Sequence, residues 1–241
     1  MRISVIMPVL NEELFIEQTL VRVAQSCRSL SREIIVVDGG SRDGTREIAA
    51  GRADQVLESR RPGRAAQMHV GAQAAKGDVL LFLHADTRLP EAWDVALWKA
   101  WSARPQPGAT AFRLSYDSDR LIYRSLARLA FWRSRFNGVP HGDQAIAVAR
   151  ETYFAVGGFP AVPLMEEYYL IPKLRRQGPI VILPERIRTS VRRYEKNGPL
   201  FNAIRNTALM GLHYCGVSAD RLAMFYQSPG RRAAPLAEER T

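Results

Sequence analysis

His84 and Asp86 stand two positions apart at the end of an apolar run, Val79 to Leu83. A carboxylate placed there can bind a divalent cation through oxygen, and magnesium or manganese would bridge it to a diphosphate, since hard cations prefer carboxylate and phosphate oxygens. One aspartate supplies too few ligands, so substrate phosphates and water would complete the shell. His84 is the weaker member of the pair, because a lone histidine more often holds a structural hydrogen bond than a metal. Three other groups sit in comparable places. Asn11 and Glu12 follow "ISVIMPV", Asp38 closes "EIIVVD" before Gly39 and Gly40, and Arg60, Arg61 and Arg64 follow "DQVLES". An acid at a strand end can accept hydrogen bonds from a nucleoside or cap its own turn, and both readings of Asp38 stand. The arginines, beside Gly63, suit contact with phosphate or base, with a solvated loop as the alternative. Taken by themselves, Glu166 and Glu167 read as an acidic helix start favoured by the helix dipole.

These residues need elements that carry them to one rim. From residue 3 to about residue 103, strand and helix patterns alternate. "ISVIMPV", "EIIVVD", "DQVLES" and "DVLLFLH" read as strands. Residues 12–29, "AAQMHVGAQAAK" and "PEAWDVALWKAW" read as helices, the last with Pro90 in its first turn. Such alternation predicts an α/β fold, a doubly wound and mostly parallel sheet with helices on both faces. In open parallel sheets, ligands bind outside the carboxyl ends of the strands. That rule selects the loops after Pro8, Asp38, Ser59 and His84. If the strand conformation continues, His84 and Asp86 project to the same face. The second half is less regular, with strands at "GATAFRLS", "QAIAVA", "PIVILP" and "RIRTSV" and a helix over 166–177.

The 241-residue chain carries a formal net charge of +10, which favours anionic partners such as phosphate-bearing ligands, nucleic acid or an acidic membrane surface. Its basic residues are dispersed and no nucleic-acid motif appears, so nucleic acid ranks last. The two cysteines, Cys27 and Cys215, make neither a disulfide framework nor a zinc site, and a reducing cytoplasm is expected. The first apolar run is broken by Asn11, Glu12 and Glu13 and reads as a strand, not a signal peptide. No apolar run approaches the roughly 20 residues that span a bilayer. Residues 119–136 form a basic amphipathic pattern. Ile122, Leu126, Leu129, Trp132 and Phe136 fall on one arc, and Arg120, Arg124, Arg128 and Arg135 oppose them, with Arg133 as the exception. Pro199 to Leu212 repeats the theme with Phe201, Ile204, Ala208 and Leu212. The ordinary reading packs each apolar arc on the core. The alternative lays it on the inner face of an anionic membrane.

Read together and in order, "VIMPVLNEE", "IIVVDGGSRDGT", "GRAAQMHVGAQAAKGDVLLFLHADT" and "VGGFP" resemble glycosyltransferase family 2, over about residues 2–226. More narrowly they resemble its radical-SAM/selenodomain-associated subgroup. The resemblance implies a GT-A fold, with residues 1–104 as the nucleotide-sugar half and 105–227 as a smaller acceptor-side and catalytic region. Residues 228–241, rich in Pro, Gly and charge, would be a disordered tail. It implies an inverting transferase that uses a nucleotide-sugar donor, UDP first, and Mn2+ or Mg2+, acting on a hydroxyl acceptor. By position, Pro8, Asn11, Glu12, Asp38 and Gly40 would line the nucleoside pocket and Arg64 would face the nucleotide. His84-Ala85-Asp86 takes the place of the family's D-x-D motif, so Asp86 would ligate the metal. His69 stands where the subgroup has asparagine. Glu166-Glu167 replaces a Glu-Asp pair, which puts Glu167 in the position of the catalytic base, one methylene longer. Asp143, in "HGDQ", is the next candidate. "TSVRRYEKNG" matches a subgroup segment whose arginines, here Arg192 and Arg193, would reach the diphosphate or close a loop over it. Two rivals are weighed against this. A nucleotidyltransferase would carry a Gly-rich basic loop after the first strand, where this chain has "PVLNEE". A degenerate donor-binding protein would share the motifs without turnover.

Overall fold

A computed structural model describes residues 1–226, and the segment 228–241 expected to be a tail lies outside the described residues. The first half contributes β1 (Arg2–Val9), α1 (Glu13–Gln25), β2 (Ser31–Asp38), α2 (Thr45–Ala50), β3 (Gln55–Glu58), α3 (Arg64–Ala74), β4 (Val79–Phe82), β5 (Thr87–Arg88) and α4 (Trp93–Ser102). The second contributes β6 (Ala109–Tyr116), α5 (Leu121–Phe136), a 3-10 turn at Gly142–Gln144, β7 (Ile146–Ala149), α6 (Arg150–Ala155) and α7 (Glu166–Arg175). It ends with β8 (Ile180–Thr189), α8 (Arg192–Asn197), α9 (Pro199–Tyr214) and α10 (Ala219–Tyr226).

One eight-stranded sheet runs through both halves in the order β3-β2-β1-β4-β7-β6-β8-β5. The β1 to β4 segment is wholly parallel, as the alternation predicts, while β7 runs antiparallel to both β4 and β6. Side chains of β1 alternate between two cores. Ile3, Val5, Met7 and Val9 face the side packed by Leu20, Trp93 and Tyr123, and Ile6 faces the side packed by Met68, Tyr153 and Ile171. Helix α3 lies close on β1, for a methyl group added at Gly71 would come within 2.4 Å of Ile6 Cγ2.

The chain leaves β4 at Phe82 and pairs again as β5 at the far edge, from Thr87. Five residues reach at most about 18 Å, whereas four strand spacings of a flat sheet cover about 19 Å. The sheet therefore curls, and the concavity this makes is where the site lies.

Four sequence expectations change. The strand does not continue through His84 and Asp86, because Thr87 N–H donates to His84 O at 3.1 Å and turns the chain. Pro90 precedes the helix, which starts at Trp93 after Ala92 in the left-handed region. "PIVILP" and "RIRTSV" are one strand, β8, with a bulge. Leu183 pairs with Phe112 and Arg186 with Arg113, so the ladder skips Pro184, which has no N–H to give, and Glu185. Finally, α5 packs only part of its apolar arc on the core, through Leu126. It buries Tyr123, Ala130 and Ser134, whereas Leu129, Trp132 and Phe136 are 58%, 52% and 82% exposed. This row sets α5 against β6 and leaves Leu129, Trp132 and Phe136 outside.

Candidate active site

The turn that carries His84 and Asp86 is tied on both sides. Thr19 Oγ1 donates to Ala85 O at 2.5 Å, and Ser190 N–H donates to Asp86 O at 3.1 Å. Thr87 and Thr189 pair through their hydroxyls at 3.1 Å. Ala85 turns its methyl into the core, so His84 and Asp86 emerge on either side of it into a cleft of about 170 Å³. Arg64, Asp143 and Glu167 line the same cleft.

Glu166 and Glu167 open α7 directly after Met165, whose φ of 62° is left-handed. They are 1% and 5% exposed. Arg64, expected to face the nucleotide, lines the cleft and donates from Nε to Glu166 Oε1 at 2.6 Å, with its Nη2 3.9 Å from Glu167 Oε1. Gly142 N–H donates to Glu167 Oε1 at 2.7 Å. Burial, and then the charge of Glu166, push the Glu167 carboxyl up to about 7 against the pull of Arg64 and that N–H. The glycine is needed there. A methyl on Gly142 would lie 2.5 Å from Glu167 Oε1 and 3.1 Å from His84 Nε2. Glu167 and His84 thus flank one backbone position, and the base candidate lies beside the turn that also carries Asp86.

Asp143 follows in the 3-10 turn, whose shape is set by Gln144. That side chain accepts from His141 N–H at 3.0 Å and Ser134 Oγ at 2.9 Å, and donates to Phe112 O at 3.2 Å. His141 Nε2 lies 2.8 Å from Tyr168 Oη, and burial, with Arg133 and Arg64 nearby, holds its pKa well below the ordinary imidazole value. Burial first and then the charge of Asp143 push the Tyr116 phenol up.

At the other end, Arg192 links two of the acids. Its Nη2 is 2.6 Å from Glu12 Oε1 and 3.3 Å from Asp86 Oδ2, with the guanidinium 4.5 Å from the Phe15 ring centroid. A cation thus already sits between Glu12 and Asp86, which is a measure of how well this corner suits positive charge. The Arg193 side chain lies outside the described residues.

Pro8, Asn11, Asp38 and Gly40 lie at the same strand rim but not in the lining of the cleft. Asp38 is fully buried and accepts from Gly40 N–H at 3.1 Å, Ser41 N–H at 3.0 Å and the Ser41 hydroxyl, so its carboxylate shapes the loop. Asn11, at φ 55°, accepts from Arg42 N–H at 2.9 Å and fastens the first loop to the second. Arg60 and Arg61 are exposed and stay out of the cleft. His69 meets the Tyr153 hydroxyl at 3.2 Å, away from the cleft.

Sequence reasoning missed several contributors. Gln67, 5% exposed, donates to Val9 O at 2.7 Å and Val37 O at 2.8 Å, which pins α3 to the ends of β1 and β2. Asn202, Arg205 and Asn206 form a wall of the cleft. They lie on α9 between its exposed apolar residues, with Arg205 over the Phe201 ring, and the polar positions of that amphipathic pattern were the available signal. Among the described residues no group of three or more His, Cys, Asp or Glu side chains is arranged to hold a metal. The donor set is therefore Asp86 with His84 beside it. That fits a hard cation completed by phosphate oxygens better than an all-protein cage.

The model of the family described as Glycosyl transferase family 2 matches residues 4–162. The chain is 36% identical over 97 residues to the undecaprenyl-phosphate 4-deoxy-4-formamido-L-arabinose transferase of Pseudomonas paraeruginosa, a match covering 36% of this chain and 29% of that protein. The enzyme of the same name from Aeromonas hydrophila is 37% identical over 97 residues, covering 36% and 30%. The match thus spans about three tenths of the length of these curated relatives. Among solved structures, glucosyl-3-phosphoglycerate synthase from Mycobacterium tuberculosis, in complex with Mn2+, UDP and glucosyl-3-phosphoglycerate, superposes with a TM-score of 0.53 at 24% identity, covering 76% of this chain and 70% of that one. A mannosyltransferase from Pyrobaculum calidifontis, in complex with GDP-Man and Mn2+, gives 0.59 at 24% identity, covering 78% and 56%. The fold is that of GT-A glycosyltransferases.

Proposed function

The chain belongs to glycosyl transferase family 2, and from that premise we propose that it moves a sugar from a nucleoside diphosphate, UDP first, to a hydroxyl acceptor carried by a lipid, with inversion. Glu167 takes the proton of the acceptor hydroxyl. The oxygen attacks the anomeric carbon from the face opposite the diphosphate, the bond to the diphosphate breaks, and its electron pair leaves with that group. The observation that supports this most is the placement of Glu167 and Asp86 in one cleft, with the Glu167 carboxyl pushed up to about 7. A general base works best when its pKa lies near the operating pH. Asp86, with His84 beside it, would hold Mn2+ or Mg2+, which supplies positive charge against the diphosphate when bound. Arg192 would move from Glu12 and Asp86 to the diphosphate. Arg64 is paired with Glu166 at 2.6 Å and holds that side chain in place, beside Glu167. The donor class is supported by the UDP and GDP-Man complexes of the two structural neighbours, and the lipid carrier, though not the hydroxyl, by the undecaprenyl phosphate in the relatives' name.

Thermal-shift measurements with UDP-, GDP- and dTDP-sugars, with and without Mn2+, identify the donor. With that donor, Glu167→Gln is expected to keep binding and lose about 10²- to 10⁴-fold in turnover, whereas Asp86→Ala loses the Mn2+-dependent part of both. A fully active Glu167→Gln moves the base to Asp143. The longer side chain of Glu167 speaks for the second reading, a donor-binding protein without turnover. That reading holds if the unmodified protein binds the donor and hydrolyses none of it.

A further inference from the structure

The two helices with amphipathic patterns turn much of their apolar arcs outward. On α5, Leu129, Trp132 and Phe136 are exposed, with Leu121 75% exposed at the helix start. On α9, Leu200, Phe201 and Ile204 are exposed and lie outside the lining of the cleft. Helix α9 packs against both α5 and α10, and α10 adds Met224 and Phe225, both exposed. Adjoining helices thus present large apolar side chains to the outside, more than scattered surface residues would require.

The charge on α5 and α9 is of one sign, while α10 carries an exposed Asp220 beside Arg221. The α5 sequence "LIYRSLARLAFWRSRF" contains no acidic residue, and its Arg124, Arg128 and Arg135 are exposed along the edge of the apolar row. The α9 sequence "PLFNAIRNTALMGLHY" is likewise without acid. A second copy of this face would set arginine against arginine, whereas protein interfaces are depleted of charge at their centres. An apolar row containing Trp and Phe, edged by Arg, has the make-up of a helix lying in the headgroup region of an anionic bilayer.

We propose that the outer face of α5, α9 and α10 docks on an anionic phospholipid membrane, with α9 forming at once the membrane-facing surface and a wall of the active-site cleft. A lipid-borne acceptor would then enter along α9, past Asn202, Arg205 and Asn206, toward Glu167. The docking stands on the exposed face alone, and only the acceptor route rests on the transferase reading.

The test is flotation of the full chain with vesicles of phosphatidylcholine alone or mixed equally with phosphatidylglycerol, at low and high salt. Binding to the mixed vesicles, weakened by salt and absent from the neutral ones, is expected. The triple variant Leu129→Ser, Trp132→Ser, Phe136→Ser and, separately, the pair Arg128→Glu, Arg135→Glu should each lower the bound fraction at least about tenfold. Both should keep the circular dichroism of the parent and its hydrolysis of donor in vesicle-free solution. Should the triple variant misfold, the arginine pair decides. No flotation with anionic vesicles at low salt overturns the proposal, as does equal flotation with neutral ones. So does a dimer in solution that the triple variant makes monomeric. A protein that floats as expected but never hydrolyses a donor sustains the docking and overturns the transferase reading.

Discussion

Glu167 owes its character to three neighbours that pull in different directions. Burial and Glu166 raise its pKa, while Arg64 and the Gly142 N–H lower it, and the carboxyl settles near 7. In the proposed reaction the ionised form is the base, so kcat/KM should rise with pH through a limb near 7 and level off above it. The same shift acts on stability with the opposite sense. The ordinary value is 4.5, so between there and about 7 the folded protein holds a proton that the unfolded chain has released. Stability from this group is full at low pH and falls as pH rises through 7. Glu167→Gln should therefore flatten the decline of Tm over that interval. Gly142→Ala tests the geometry. The new methyl has no room beside Glu167 Oε1 and His84 Nε2, so turnover should fall about a hundredfold, the penalty for a misplacement of about 1 Å, with donor affinity less affected.

The elements show what the sequence could and could not convey. Alternating strand and helix patterns up to residue 103 led to the parallel strands β1 to β4, because strands buried on both faces leave continuous apolar runs. Asp86 and Glu167 were legible as a resemblance, and their meeting in one cleft accords with it. What was hidden depended on contacts distant in sequence. Nothing local indicates that Arg64 reaches Glu166, 102 residues on, or that the chain between β4 and β5 crosses the concave side of a curled sheet. Periodicity located the apolar arcs of α5 and α9 correctly, but it carries no information on which side the core lies. For α5 that was decided by the close fit of Tyr123, Ala130 and Ser134. The α3–β1 contact gives an element-scale prediction. Gly71→Ala drives a methyl into Ile6 and should destabilise by about 1–3 kcal/mol, read as a lower urea midpoint with an unchanged m-value.

At the scale of the whole molecule, residues far apart in the chain close one cleft. The donor-side acids arrive from the first half, Glu12 from the start of α1 and Asp86 from the turn after β4. The group that joins them, Arg192, comes from α8, 180 residues beyond Glu12. Arg192 is a tethered counter-ion, held at a high effective concentration by the fold itself, and any free cation must compete with it for Asp86. Competition of this kind is a linkage, and linkage is reciprocal. Occupation of Asp86 by Mn2+ should free Arg192, and with it α8, to the same extent that Arg192 opposes Mn2+. In the absence of any donor, Arg192→Gln should thus bind Mn2+ more tightly by calorimetry, and in the parent protein added Mn2+ should speed amide exchange in α8. In the proposed reaction the sign would invert once a donor is present, since the released guanidinium would become a ligand for the diphosphate. One side chain would then make the metal and the nucleotide bind better together than either does alone.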